Sequence, residues 1–148
     1  MPVAENRVSF LLNDLVREMN GQADAMLKAK FDLTYSQFVF LLALSETGQV
    51  DVTRLAMALG VTKGAVSKRL SWFTERNLAI TSQLPGDAKR VVISLTDAGS
   101  GLAKAAGDFL EERFLTTISS APDLNQGALR EELQKMLELL RAKRNQAL

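Results

Sequence analysis

The chain has no cysteine and no histidine among its 148 residues. Without cysteine there is no disulfide framework, no thiolate nucleophile and no thiol redox sensor. Without histidine the commonest zinc ligand, the usual general base and any imidazole pH switch are missing. No metal site and no cofactor are expected. No stretch approaches the roughly 18 apolar residues that a bilayer-spanning helix needs. The opening "MPVAENRVSF" lacks the basic end and apolar run of a secretory signal. A cytoplasmic protein with no membrane partner is expected. A Gly-rich phosphate loop is also absent, and the carboxylates are scattered with no close pair, which argues against an enzyme.

What is present is ordinary in bulk and uneven in placement. Hydrophobic residues make up 47% and charged residues 24%, the composition of a soluble globular protein. The length suits one domain, or one domain with an appended helical part. The formal net charge is only +1, yet residues 51–90 hold seven basic and three acidic residues, a local +4 against −3 elsewhere. A basic middle between acidic ends suits a local anionic partner. Charge alone does not separate that from a solvated surface.

Leu11, Leu12, Leu15, Val16 and Met19 recur at helical spacing, which predicts a long amphipathic helix from about Val8 to Lys28. Thr34, with Gln37 three positions later, forms a capping box ahead of the apolar run "FVFLLAL". That second helix should stop near Gly48 in a left-handed conformation. Asp51 can cap a short third helix, with Leu55, Ala56 and Leu59 on its apolar face and Gly60 closing it. Only Gly60 and Val61 stand before Thr62, the next capping hydroxyl. Two short helices joined by a tight glycine turn are the pattern of a helix-turn-helix, or of a plain helical hairpin.

The next helix, "TKGAVSKRL" and onward, distinguishes the two. At about 100° per residue, Val66, Leu70 and Phe73 share one face and must point inward. Gly64, Ser67, Lys68 and Ser71 share the other. A face meant for water alone would mix Glu, Lys and Gln. A face meant for a DNA major groove needs low relief, hydroxyls and a cation. Gly64 costs about 0.5–1 kcal/mol of helix stability relative to Ala. Near a helix N-terminus it lets the backbone approach a phosphate where the helix dipole is favourable.

"NLAITSQL" and "RVVISLT" are strand-like, with Val91, Ile93 and Leu95 alternating inward. The turn between them contains Pro85, Gly86 and Asp87. A hairpin after a helix-turn-helix is a wing, and Asp87, Lys89 and Arg90 stand at its tip, suited to a minor groove or its phosphates. Thr96 can cap a helix from about Asp97 to Ile118, with Leu102, Ala105, Ala106, Phe109, Leu110 and Phe114 as its stripe. "APDLNQ" breaks it, and a last helix from about Gln126 to Asn145 carries Leu129, Leu133, Met136, Leu137 and Leu140.

This order resembles the MarR family (multiple antibiotic resistance regulators) of winged helix-turn-helix transcription factors. The resemblance covers nearly the full chain. It rests on "LTYSQFVFLLALSE", on "VTRLAMALGVTKGAVSKRLSWFTERNLA" and on the wing segment "GDAKRVVISLTDAG". The family commonly has Asp-x-Arg in the wing, then a strand ending Leu-Thr and a glycine. Here Asp87 and Leu95-Thr96 match, while Lys89 stands at the Arg position with Arg90 beside it. Lys keeps the charge and loses the planar fork, so either cation is a candidate for the groove.

The resemblance implies a mainly α fold with a small antiparallel β-wing. Residues 33–96 would be the winged helix-turn-helix, and residues 1–32 and 97–148 a helical dimerisation region continuous with it. It implies a homodimer whose two recognition helices lie about 34 Å apart on a pseudo-palindromic operator. The expected function is a repressor of transcription bound to double-stranded DNA, released by a small aromatic or phenolic effector. Thr62, Lys63, Gly64, Ser67, Lys68 and Ser71 are the candidate recognition residues. Arg54, Arg69 and Arg76 are candidates for the DNA backbone. Met19, Phe31 and Phe38 are candidate walls of an effector pocket, although core packing is the better account of each, since apolar side chains at helical spacing need no ligand. The absence of cysteine and histidine excludes a thiol switch and disfavours a zinc sensor. The alternative is a winged-helix dimer that serves as a protein-interaction module without specific DNA binding.

Overall fold

The computed structural model describes residues 6–147. Its helices are α1 (Val8–Phe31), α2 (Tyr35–Thr47), α3 (Val52–Leu59), α4 (Lys63–Glu75), α5 (Asp97–Ile118) and α6 (Gln126–Ala147). Its strands are β1 (Val50–Asp51), β2 (Ala79–Leu84) and β3 (Asp87–Leu95). The first five residues and Leu148 of the expected dimerisation region lie outside the described residues.

Five helices begin on a side chain that accepts from the backbone. A helix leaves its first N–H groups without partners, and a short polar side chain at the N-cap satisfies one of them. At α2 the capping box is complete: the Gln37 N–H donates to Thr34 Oγ1 at 3.1 Å, and the Thr34 N–H donates to Gln37 Oε1 at 2.9 Å. Asp51 caps α3 through the Arg54 N–H at 2.8 Å. Thr62 caps α4 through Ala65, Thr96 caps α5 through Gly99, and Asn125 caps α6 through Ala128. Gly60 closes α3 in the left-handed region at φ 65°, ψ 34°. Gly48 differs from expectation. Its φ of 69° comes with a ψ of −124°, outside the left-handed helical region, because the chain turns at once into β1.

Within residues 1–110, one apolar core joins α1 to α5 and the sheet. Phe40 of α2 stacks on Phe73 of α4, with centroids 4.3 Å apart and planes within 10°. Leu27, Leu41, Leu44, Leu55, Val66 and Ile93 are fully buried around them. The sheet is antiparallel in the order β1-β3-β2, with Val50 opposite Ile93 and Ala79 opposite Leu95. Strand β1 is two residues long, too short to show an alternation in sequence. It makes β3 a central strand, so Val92, with Asp51 and Ser82 opposite it, is buried along with Ile93. The expected alternation of Val91, Ile93 and Leu95 is broken there.

Helix α5 meets the α4–β2 turn at a single crowded point. Asn77 takes a positive φ of 56°, and the Leu78 N–H returns to the Phe73 carbonyl at 2.9 Å. Thr96 donates from Oγ1 to the Asn77 carbonyl at 2.6 Å and from its N–H to the Leu78 carbonyl at 3.0 Å. A Cβ at Gly99 would collide with that Leu78 carbonyl oxygen. Gly99, Ala103 and Ala106 are the buried face of α5, and Ala105 is exposed. The stripe is thus turned from the expected one, because small residues rather than large ones set the close approach.

Asp24 ties α1 to the start of α2. Its Oδ1 accepts from the Tyr35 N–H at 2.8 Å, and its Oδ2 lies 2.7 Å from Lys28 Nζ. The Lys28 ammonium and the Tyr35 N–H hold the carboxyl below its ordinary value of 3.8. On the exposed side of α1, Val8, Leu11, Leu15 and Val16 remain about half open or more.

Residues 111–148 form a second unit. Gln126 Nε2 donates to the Leu115 carbonyl and to Ser119 Oγ, closing the turn between α5 and α6. Leu129 and Met136 are half-buried, while Leu139 and Leu140 stay about 70% exposed. Among the described residues, no helix is long and apolar enough to cross a membrane.

Two measurements test this frame. Gly99→Ala should cost about 1–3 kcal/mol as an overpacked contact. Gly101→Ala, where nothing lies within 4 Å of the added Cβ, should gain about 0.5–1 kcal/mol. Thermal unfolding of both variants reads the contrast. The depressed pKa of Asp24 means the native state binds its proton less tightly than the unfolded chain does. Its contribution is therefore present in full above 3.8 and lost as pH falls through the lower native value. Asp24→Asn should lower Tm at pH 7, and the gap to wild type should close in strong acid.

Candidate nucleic-acid interface

Helices α3 and α4, joined across Gly60–Thr62, form the helix-turn-helix, and the core holds α4 by one face. Val66 and Phe73 are buried and Leu70 packs beside them. Lys63, Gly64, Ser67, Lys68, Arg69 and Ser71 are all exposed. Thr62 is engaged as the cap. Ser71 Oγ donates to the Lys68 carbonyl at 3.2 Å and keeps its acceptor sites free. The side chains of Ser67 and Lys68 take no hydrogen bond or ion pair among the described residues. A Cβ at Gly64 would meet only Thr62 Oγ1, at 3.9 Å, and its φ is not positive. Among the described residues, nothing requires glycine at that position.

The other cations are less alike than their sequence suggested. Arg54 is exposed on α3, where its N–H rather than its side chain is engaged. Arg76 closes α4: its Nη1 donates to the Trp72 carbonyl at 3.0 Å, and its guanidinium lies 4.0 Å over the Trp72 ring. Trp72 in turn meets Phe73 edge-on at 4.9 Å, a packing role at the helix edge. In the wing, Asp87 Oδ1 accepts from the Lys89 N–H at 3.2 Å. Arg90 donates from Nε and Nη2 to Asp51 Oδ2 at 3.2 and 3.0 Å. Asp51 is held below its ordinary carboxyl value first by the Arg54 N–H and also by Arg90. This Asp51–Arg90 pair escaped the sequence, since 39 residues separate its members.

The three candidate effector walls occupy different surroundings. Phe38 is buried in the core, and Met19 lies exposed on α1. Phe31 meets the Phe109 edge at 5.7 Å, with Lys30 Nζ 4.1 Å from the Phe109 centroid. A shallow groove along α1, lined by residues such as Phe10, Asn13 and Arg17, includes none of the three. Among the described residues, no group of three or more carboxylates could hold a metal ion.

A sequence model of the MarR family matches residues 31–90. The organic hydroperoxide resistance transcriptional regulator of Bacillus subtilis (strain 168) is 31% identical over 139 residues, covering 94% of this chain and 92% of that protein. The chain belongs to the MarR family. The regulator MgrA of Staphylococcus aureus is 25% identical over 133 residues, 90% of this chain and 86% of that one. The Staphylococcus aureus MepR–DNA complex superposes with a TM-score of 0.70 at 26% identity, covering 93% of this chain and 99% of MepR. NadR in complex with 4-hydroxyphenylacetate shares the fold, with a TM-score of 0.73 at 21% identity and 96% of each chain covered. This MarR-family transcriptional regulator therefore has a winged-helix head of the expected kind.

The Arg76 stack is open to a direct optical test, because Trp72 is the only tryptophan. Arg76→Ala should remove about 0.5–1 kcal/mol and shift Trp72 emission to the red as the ring meets water. Unchanged emission would dismiss the stack as a contributor.

Proposed function

We propose that this MarR-family regulator is a homodimeric repressor that binds a pseudo-palindromic operator through α4 and the wing, and that it is no enzyme. The observation that carries this assignment is the outer face of α4. It has a glycine that the described fold does not need and a lysine with no partner among the described residues, both on a helix whose other face is locked in the core. A surface shaped for no internal purpose is suited to an external partner. Low relief at Gly64 admits a phosphate to the start of α4, where the backbone N–H groups favour an anion. Ser67 and Lys68 follow at the spacing of base-edge contacts, with Ser71 one turn on. Thr62 and Lys63 flank the approach, and Arg54 and Arg69 serve the backbone.

Dimerisation is assigned to residues 1–32 and 97–148. Apolar side chains left open along α1, and others along α6, make stripes of a kind that monomers rarely display. A second copy covering them accounts for both. The effector is assigned as a small aromatic molecule, in keeping with the phenolic acid in the NadR structure. Phe31, packed edge-on with Phe109, supplies an apolar wall, and Lys30 supplies a cation. The kinship to a hydroperoxide-resistance regulator does not carry over as thiol chemistry, since this sequence has no cysteine to attack a peroxide. A cytoplasmic location fits a DNA partner.

Fluorescence anisotropy on duplex DNA from upstream of the protein's own gene tests the assignment. Wild type should bind with a steep salt slope. Lys68→Ala should lose about 1–3 kcal/mol of preference over random duplex. Gly64→Ala should weaken binding while raising the stability of the free protein by about 0.5–1 kcal/mol. Sedimentation should give twice the monomer mass. No binding at low salt would move the assignment to a protein-interaction module.

A further inference from the structure

The strand pairing that holds the wing hairpin is interrupted just below its tip. Pro85 and Gly86, the latter at φ 86°, form a two-residue turn between Leu84 and Asp87. Leu84 pairs with Asp87, but the preceding Gln83 pairs with Val91. Among the described residues, Lys89 and Arg90 therefore have no partner on β2. Strand β1 gives them none either, since it reaches only Val92 and Ile93. Such a bulge disrupts the ladder locally and bends the strand beside the tip.

Two side chains take over the work of the missing ladder. Asp87 folds back on the Lys89 N–H. On the other side, the Arg90 guanidinium places two N–H groups on one oxygen of Asp51. Asp51 is a firm anchor. Its other oxygen caps α3, and its side chain is only 17% exposed. One carboxylate thus serves the start of the helix-turn-helix and the tip of the wing together. Lys89, the next residue back, takes no ion pair among the described residues.

We infer that Arg90 is a positioning residue, which fixes the wing against the N-terminus of α3 through Asp51, and that Lys89 carries the wing's contact with DNA. Electrostatics support the division. An Arg90 that left Asp51 for a phosphate would leave a carboxylate facing the same polyanion. Kept together, the pair is close to neutral and adds little to the salt dependence of binding. A surface ion pair of this kind adds little to stability either. Its consequence is the angle at which Lys89 is presented. The planar fork of Arg suits this task better than an ammonium does.

This inference rests on the DNA-binding assignment above, and the experiment separates the two. Salt-series anisotropy is measured on wild type, Lys89→Ala, Arg90→Ala, Asp51→Asn and the Arg90→Ala/Asp51→Asn double variant. Asn keeps the helix cap and removes the charge. Lys89→Ala should flatten the log–log salt slope by about 0.9, one phosphate contact. Arg90→Ala and Asp51→Asn should each weaken binding by about fivefold or more with the slope unchanged, and the double variant should be no worse than either. A slope loss in Arg90→Ala, with Asp51→Asn binding as well as wild type or better, would overturn the inference. Amide exchange on the free protein judges the anchoring independently of DNA. Faster exchange at Ser82, Gln83, Val91 and Val92, the paired residues beside the bulge, in both Arg90→Ala and Asp51→Asn upholds it, and unchanged exchange there rejects it. If wild type does not bind DNA, the DNA-binding assignment and the Lys89 contact both fail, and the exchange result alone decides the role of Arg90.

Discussion

At Gly99 the first turn of α5 lies against the Leu78 carbonyl with no room for a side chain between them. Three elements are defined around that contact. Helix α4 ends there, because Asn77 turns to positive φ and Leu78 bonds back to Phe73. Strand β2 begins there, with Ala79 set opposite Leu95. Helix α5 begins there, with Thr96 bonded to both Asn77 and Leu78 while it caps its own helix. The orientation of α4, and so of its outer face, is tied to the helix assigned to dimerisation through a few atoms of backbone. Interiors are close-packed, so such a junction transmits displacement rather than absorbing it.

Much of this was legible because the signals are local. Thr34, Asp51, Thr62 and Thr96 each stand directly before an apolar periodic run, and each caps the helix it was expected to cap. Gly60 takes the left-handed turn for which nothing else nearby is suited. The inward face of α4 followed from Val66, Leu70 and Phe73 alone, since a helix offers one face per period. The same rule placed Gly64, Ser67, Lys68 and Ser71 outside.

What stayed hidden depends on distant partners or on closeness. Strand β1 is too short to carry a period, and its pairing is what buries Val92. The buried face of α5 is made of Gly99, Ala103 and Ala106, which a search for large apolar residues passes over. Asp51 was visible as a cap but not as the holder of Arg90. One carboxylate has two oxygens, and sequence spacing reported on only one of them. For the same reason Lys89 and Arg90 looked interchangeable until their neighbours were known.

The caps have a consequence for how such a protein can diverge. Helix α4 is started by Thr62, held by Val66 and Phe73, and finished by Arg76 on Trp72. None of these positions lies on the outer face. Substitutions at Ser67 or Lys68 therefore escape the purge that folding imposes on the rest of the helix. Duplicated copies of the gene could drift toward new target sequences through single replacements there, each intermediate as well folded as its parent.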